Sequence, residues 1–137
     1  MAALTADRNT PYRTGDVLND PVAAGAVIFV GAMFALDAAG NAVAATAGGK
    51  RVRAVAQHRA DNTGGAAGAQ RIEGRRGVWR FGNGTAGAEI TRADIGKAAF
   101  VVDDQTVGKT GTAVAGEILD VDDGQVWVDI GVVLPAP

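Results

Sequence analysis

The sequence contains no cysteine, no serine and a single histidine. Without cysteine there are no disulfides, no thiolate catalysis and no Cys-ligated zinc or iron–sulfur site. Without serine there is no serine nucleophile, and one histidine cannot build a His pair or a His-rich metal site. Aromatic residues make up only 5%, a thin supply for a carbohydrate-binding platform. No apolar run reaches the roughly 20 residues of a membrane span, and the longest, Val22–Leu36, is interrupted by Gly25 and Gly31. The opening MAALTADRNTPYRTGD lacks the apolar core of a signal peptide, so a protein made and kept in a cytoplasm is expected.

What is present is mostly small. The 137 residues suit one domain. They include 28 Ala and 20 Gly, about a third of the chain, and 17 Val against five Leu and six Ile. Valine in place of leucine favours sheet over a helical bundle, and abundant glycine favours turns. The alanine excess is read as a bias of base composition and is given little structural weight.

Residues 1–21 read as an extended arm, punctuated by Pro11, Gly15 and Pro21 and lacking a periodic apolar face. A disordered tail and an arm that orders against a partner both fit. Residues 22–137 read as a single β domain. Ala26–Val30 and Met33–Leu36 are strand-like, with a hairpin turn at Asp37-Ala-Ala-Gly40-Asn41. In Arg51–Arg59, Val52, Ala54 and Ala56 cannot all share a face with Val55, which implies a bulge or a two-sided strand. Asp61–Gly68 reads as a flexible loop. Gln70–Arg76 and Gly77–Phe81 are a strand pair or one bent strand. Thr91 caps a single helical turn with Asp94 inside it, and Lys97–Val102 reads as a buried strand. Val114–Val121 and Gln125–Ile130 flank Asp122-Asp123-Gly124 as a hairpin. Seven to nine short strands are predicted, so the fold class is all-β, a small β-sandwich or barrel of short antiparallel strands.

The candidate chemical motifs are weak. Gly108-Lys109-Thr110 ends like a phosphate-binding loop, but Asp103 stands where the pattern needs its first glycine. Asp120, Asp122 and Asp123 miss calcium-loop spacing, because Gly124 falls where the third ligand belongs. His58 is read as a neutral edge-strand or interface residue. A carboxylate pair for glycoside hydrolysis stays open, although Glu is rare and Asp falls mostly in turn-like stretches. No catalytic residue, cofactor or metal is assigned, and the protein is expected not to be an enzyme.

Charge is segregated along the chain. Residues 50–97 hold ten basic and four acidic residues, a balance of +6, while the remainder balances at −8. A protein interface is weighed first, an ordinary solvated surface second and a nucleic-acid face third. In that third reading Trp79 and Phe81 interleave with the basic residues. A pI near 5.2 speaks against nucleic acid. The contact residues inferred from the sequence are Leu4, Arg8, Pro11, Tyr12 and Arg13 in the arm, and Arg75, Arg76 and Arg80 on a docking face.

Several stretches together resemble a known family. They are Leu4–Pro11 with Gly15-Asp16, Ala24–Ala32 leading into Leu36–Gly40, Arg76–Phe81, Ile90–Gly96, Phe100–Val107, Gly116–Asp122 and Val126–Gly131. They look like the capsid decoration (head cement) proteins of tailed bacteriophages and prophages, in particular Mu-like ones. The resemblance covers most of the chain, and its motifs are structural rather than catalytic. It implies a compact β domain on the outside of the phage head, assembled as a homotrimer and bound to the major capsid protein. It also implies no cofactor, no membrane, and residence in the virion after synthesis in a bacterial host cytoplasm. The rival readings are a head–tail joining or tail component, a single-stranded nucleic-acid binder on an OB-like barrel, and a small carbohydrate-binding or hydrolytic β domain.

Overall fold

A computed structural model describes residues 2–131; Met1 and the proline-ended tail 132–137 lie outside the described residues. The strands are β1 (Val17–Pro21), β2 (Val27–Ile28), β3 (Met33–Leu36), β4 (Ala42–Ala44), β5 (Val52–Ala56) and β6 (Ala60–Asp61). They continue as β7 (Arg71–Arg75), β8 (Gly77–Asn83), β9 (Ala98–Asp103), β10 (Thr106–Gly108), β11 (Val114–Asp122) and β12 (Gln125–Ile130). Two 3-10 turns, Ala86–Ala88 and Arg92–Asp94, are the helical elements of the described residues. The all-β expectation holds. The strand count exceeds the sequence reading because strands of two or three residues are too short to show a period.

Five strands form a sheet in the order β1-β7-β5-β3-β4. This sheet curls on itself until Val22, just past β1, bridges Ala42 of β4 in parallel. Its interior holds Leu18, Val22, Ile28, Phe34 and Ile72, surrounded by Ala32, Ala42, Ala54, Ala56 and Ala60. So tight a curl leaves little room inside, and alanine fills it around one fully buried phenylalanine. Eleven of the alanines are buried. These buried alanines have a structural role, which the sequence reading gave little weight.

The other large element is a closed barrel in the order β10-β8-β12-β11-β9. Its pairings are antiparallel except β8 with β10, which is parallel. Closure removes the free edges that an open sheet would expose. Phe81, Val101, Val107, Ile118, Val126, Val128 and Ile130 fill it. Strand β12 alternates as its sequence does, with Val126, Val128 and Ile130 buried. Strand β9 departs from the buried-strand reading: Ala99 and Val101 point in, while Val102 is exposed.

The two sheets are joined by shared strands. Opposite Phe34 and Ala35 the partner register skips from Ala54 to Val52, leaving Arg53 as the extra residue of a bulge. Val52 and Val55 therefore enter the barrel's core, while Ala54 and Ala56 enter that of the first sheet. The conflicting alternation of β5 is resolved by both expected devices at once. Strands β7 and β8 are one run bent at Arg76 and Gly77, the glycine at φ +124°. Its first half pairs with β1 and β5 and its second with β12 and β10.

The boundary of the arm moves. Residues 17–21, placed in the arm by the sequence, pair with β7 from Val17↔Arg75 to Pro21↔Arg71. Only Leu18 and Asp20 face inward on this edge strand, so its apolar pattern is faint, and Pro21 is tolerated at its end. The Asp61–Gly68 loop is also tied down, contrary to its composition. Asn62 is buried, and its amide donates to the carbonyls of Ala23 and Ala66, both at 2.9 Å. The local turns follow their chemistry. The Asp37 carboxylate accepts the Ala39 and Asn41 N–H groups, and Asp123 and Gly124 both take positive φ at the β11–β12 turn. The Thr91 N–H donates to the Asp94 carboxylate at 2.9 Å in the expected single turn, which is of 3-10 type.

Candidate docking surfaces

Residues 2–16 form no strand and are exposed throughout. Leu4 is 73% and Tyr12 89% exposed, high values for side chains of this size. The arm's own hydrogen bonds are local: the Thr10 N–H and the Arg8 guanidinium bond between these two residues. Among the described residues, 2–14 make no hydrogen bond or ion pair with the domain. Leu4, Arg8, Pro11, Tyr12 and Arg13 are thus presented together on a segment that its own domain does not hold.

The arm is rooted between two of the expected cations. The Asp16 carbonyl accepts the Arg76 N–H at 2.7 Å, and Val17 sits opposite Arg75. Arg75 is exposed on β7. Arg76 is half-buried at the bend, its Nε donating to the Arg53 carbonyl at 3.2 Å. A Cβ at Gly131 would come within 2.6 Å of Arg76 Cδ, so the glycine makes room for the arginine stem. Arg80 is not brought to this root. It stands on the barrel wall, about 13 Å farther along the run at ~3.3 Å per residue. Its guanidinium lies over Trp127 at 5.8 Å and beside Asp122 at 3.5 Å, and Asp122 also accepts the Trp127 indole N–H.

Folding partly neutralises the charge blocks. Arg53 forms a two-pronged pair with Asp20, Arg80 meets Asp122 and Arg92 meets Asp120, all drawing on acids outside the basic segment. The Val121 N–H, followed by Arg92, holds the Asp120 carboxyl below the usual range. Thr63 does the same for Asp61, and the Thr91 N–H for Asp94. These carboxylates are engaged in local bonds as anions. Among the described residues no group of three or more His, Cys, Asp or Glu is placed to hold a metal ion. No described helix is long and apolar enough to cross a membrane.

The remaining sequence candidates have structural surroundings. The His58 Nε2 accepts the Glu73 N–H and its Nδ1 lies 3.1 Å from the Arg59 carbonyl, a pattern suited to the neutral ring. The Lys109 N–H donates to Ala88 after β10, and no helix follows to complete a phosphate-binding loop. Phe81 belongs to the barrel core and half-buried Trp79 packs against it, its Nε1 buried without a hydrogen-bond partner among the described residues.

One basic hollow was not apparent from the sequence. At the end of the first sheet, the β3–β4 turn, the start of β5 and the β7–β8 bend surround a hollow of about 440 Å3. Lys50, Arg51, Arg53 and Arg76 line it, over Leu36 and Val52, with Asp37 as its one carboxylate. The Lys50-Arg51-x-Arg53 run was the available signal, but Arg76 joins it only through the fold. A separate exposed apolar tip, Phe29 and Val30, lies under Arg59, whose guanidinium is 5.2 Å from the Phe29 ring. No family model matches the chain, and no curated protein or solved structure is similar to it.

Proposed function

We propose that the protein is a non-enzymatic virion component that decorates and stabilises a tailed-phage head by binding the outside of the major capsid protein lattice, as trimers. The observation that carries this reading is the arm: residues 2–16 are exposed and form no strand, and among the described residues 2–14 make no hydrogen bond or ion pair with their own domain. Fully extended, at ~3.3 Å per residue, a segment of this length would reach about 50 Å. Ordering it costs about 1–2 kcal/mol per residue, so contacts along its length must offset that cost on a partner. An edge strand at its root and main-chain groups along it suit addition to a neighbouring sheet. A three-fold assembly repeats one pair of complementary patches, and arms reaching from several linked copies hold firmly through effective concentration.

The test is co-sedimentation of the protein with heads that lack it, with bound copies counted per head. Saturation at many copies in multiples of three supports decoration. A ring-sized number of copies assigns it to a head–tail joint or tail instead, and a protein left in the supernatant overturns the reading. A chain lacking residues 1–16 is expected to keep its thermal transition and lose head binding. Undiminished binding by that chain discards the role of the arm.

A further inference from the structure

Two cations of the hollow at the end of the first sheet, Lys50 and Arg76, bond to main-chain oxygen rather than to carboxylates among the described residues. Arg53 is neutralised by Asp20, with Nε and one terminal nitrogen at 3.0 and 3.1 Å from the two carboxylate oxygens. Among the described residues the Lys50 ammonium donates to the Asp37 main-chain carbonyl at 3.2 Å, and the Arg76 guanidinium to that of Arg53. Neither has a carboxylate within ion-pair distance among the described residues. The Asp37 carboxylate is occupied with the Ala39 and Asn41 N–H groups. Two cations are thus held in place by bonds to main-chain oxygen, with donors left over and a concave apolar floor between them.

We infer that this hollow binds the carboxylates of an acidic segment of a partner protein. An arginine whose Nε is already fixed keeps its terminal N–H groups aimed for paired contacts with a carboxylate. Leu36, half-buried, offers apolar surface to the peptide stem between its charges. No aromatic side chain lines the hollow, so the stacking platform of single-stranded nucleic-acid binding is missing. No helix N-terminus lines it, and the Ala39 and Gly40 N–H groups of its turn already donate to Asp37, which leaves them unavailable as a phosphate cradle. That the partner is a capsid subunit rests on the docking reading above; the chemistry of the site does not.

The test titrates the full chain with a synthetic octapeptide alternating aspartate and leucine, with inorganic phosphate, and with a deoxythymidine octamer. Lys50→Glu removes an exposed cation, and Arg76→Gln tests the second where the packing of its stem allows folding. Lys109→Glu, outside the hollow, makes the same change in net charge. The octapeptide is expected to bind in a salt-sensitive manner and to weaken about tenfold in Lys50→Glu, while Lys109→Glu stays within about twofold. Equal losses in the two reversals, tighter binding of the octamer, or equal binding of phosphate would each overturn the assignment. If wild-type protein decorates heads and both hollow variants decorate them equally, the docking reading stands and the capsid subunit is overturned as the partner of this site. If no variant binds heads, the octapeptide titration still decides the chemistry of the hollow.

Discussion

Asn62 shows how much one polar side chain holds. Its amide reaches Ala23 and Ala66, tying the 61–68 loop to the strand end beyond β1. Replacing it with alanine removes the donor from the buried bond to the Ala23 carbonyl. A buried acceptor left unsatisfied costs about 1–3 kcal/mol. Asn62→Ala is therefore expected to lower the midpoint of urea unfolding with little change in slope, since the surface exposed on unfolding stays the same. An unchanged midpoint would mean that the loop does not need this anchor. In the sequence this asparagine sits among glycines and alanines and looks like any turn residue. Its main partner lies 39 residues away, so local pattern does not reveal the burial.

At the scale of elements, close approach between strands decides where glycine is required. A Cβ on Gly116 would lie 2.1 Å from the Asp129 carbonyl oxygen, so β11 and β12 would have to part. A Cβ on Gly74 would meet the Phe34 ring at 2.6 Å inside the curled sheet. Overpacking of this kind typically costs about 1–3 kcal/mol. Gly116→Ala is expected to be the worse of the two, because its obstacle is main chain and cannot rotate away. Gly48→Ala, with nothing within 4 Å and no positive φ, is the control and should leave the melting temperature unchanged. Thermal unfolding of the three variants checks the order, and a harmless Gly116→Ala would show that the strand pair is looser than described. The turns around these strands were readable from the sequence. Asp37, Gly40, Asp123 and Gly124 act through their own dihedrals and their nearest neighbours.

At the scale of the whole molecule, the two sheets share structure rather than merely touching. Met33, Ala45, Val52 and Val55 belong to the first half of the chain yet lie in the barrel's core. The bent β7–β8 run feeds both sheets. The described domain should therefore unfold as one cooperative unit. Both tryptophans are on barrel strands, Trp79 on β8 and Trp127 on β12, so their fluorescence follows the barrel while far-ultraviolet dichroism follows all strands. The two transitions are expected to coincide in urea. A fluorescence transition separate from the dichroism transition would show the sheets to be independent units.

Features that depend on a few adjacent residues could be read before any fold was known. They include the all-β class, the two aspartate turns, the Thr91–Asp94 turn and the contradiction within β5. Each follows from turn dihedrals, side-chain alternation or a hydrogen bond spanning a few positions. Partner choice did not follow from the same information. The closure of the barrel through β8 and β10, the strand hidden at 17–21, and the need for alanine inside a tight curl all depend on segments far apart in the chain. The basic hollow belongs with them, because Arg76 reaches Lys50, Arg51 and Arg53 only when β5 and β7 pair. Pairing is settled by burial shared between distant segments, and that energy exists only once the chain has closed on itself.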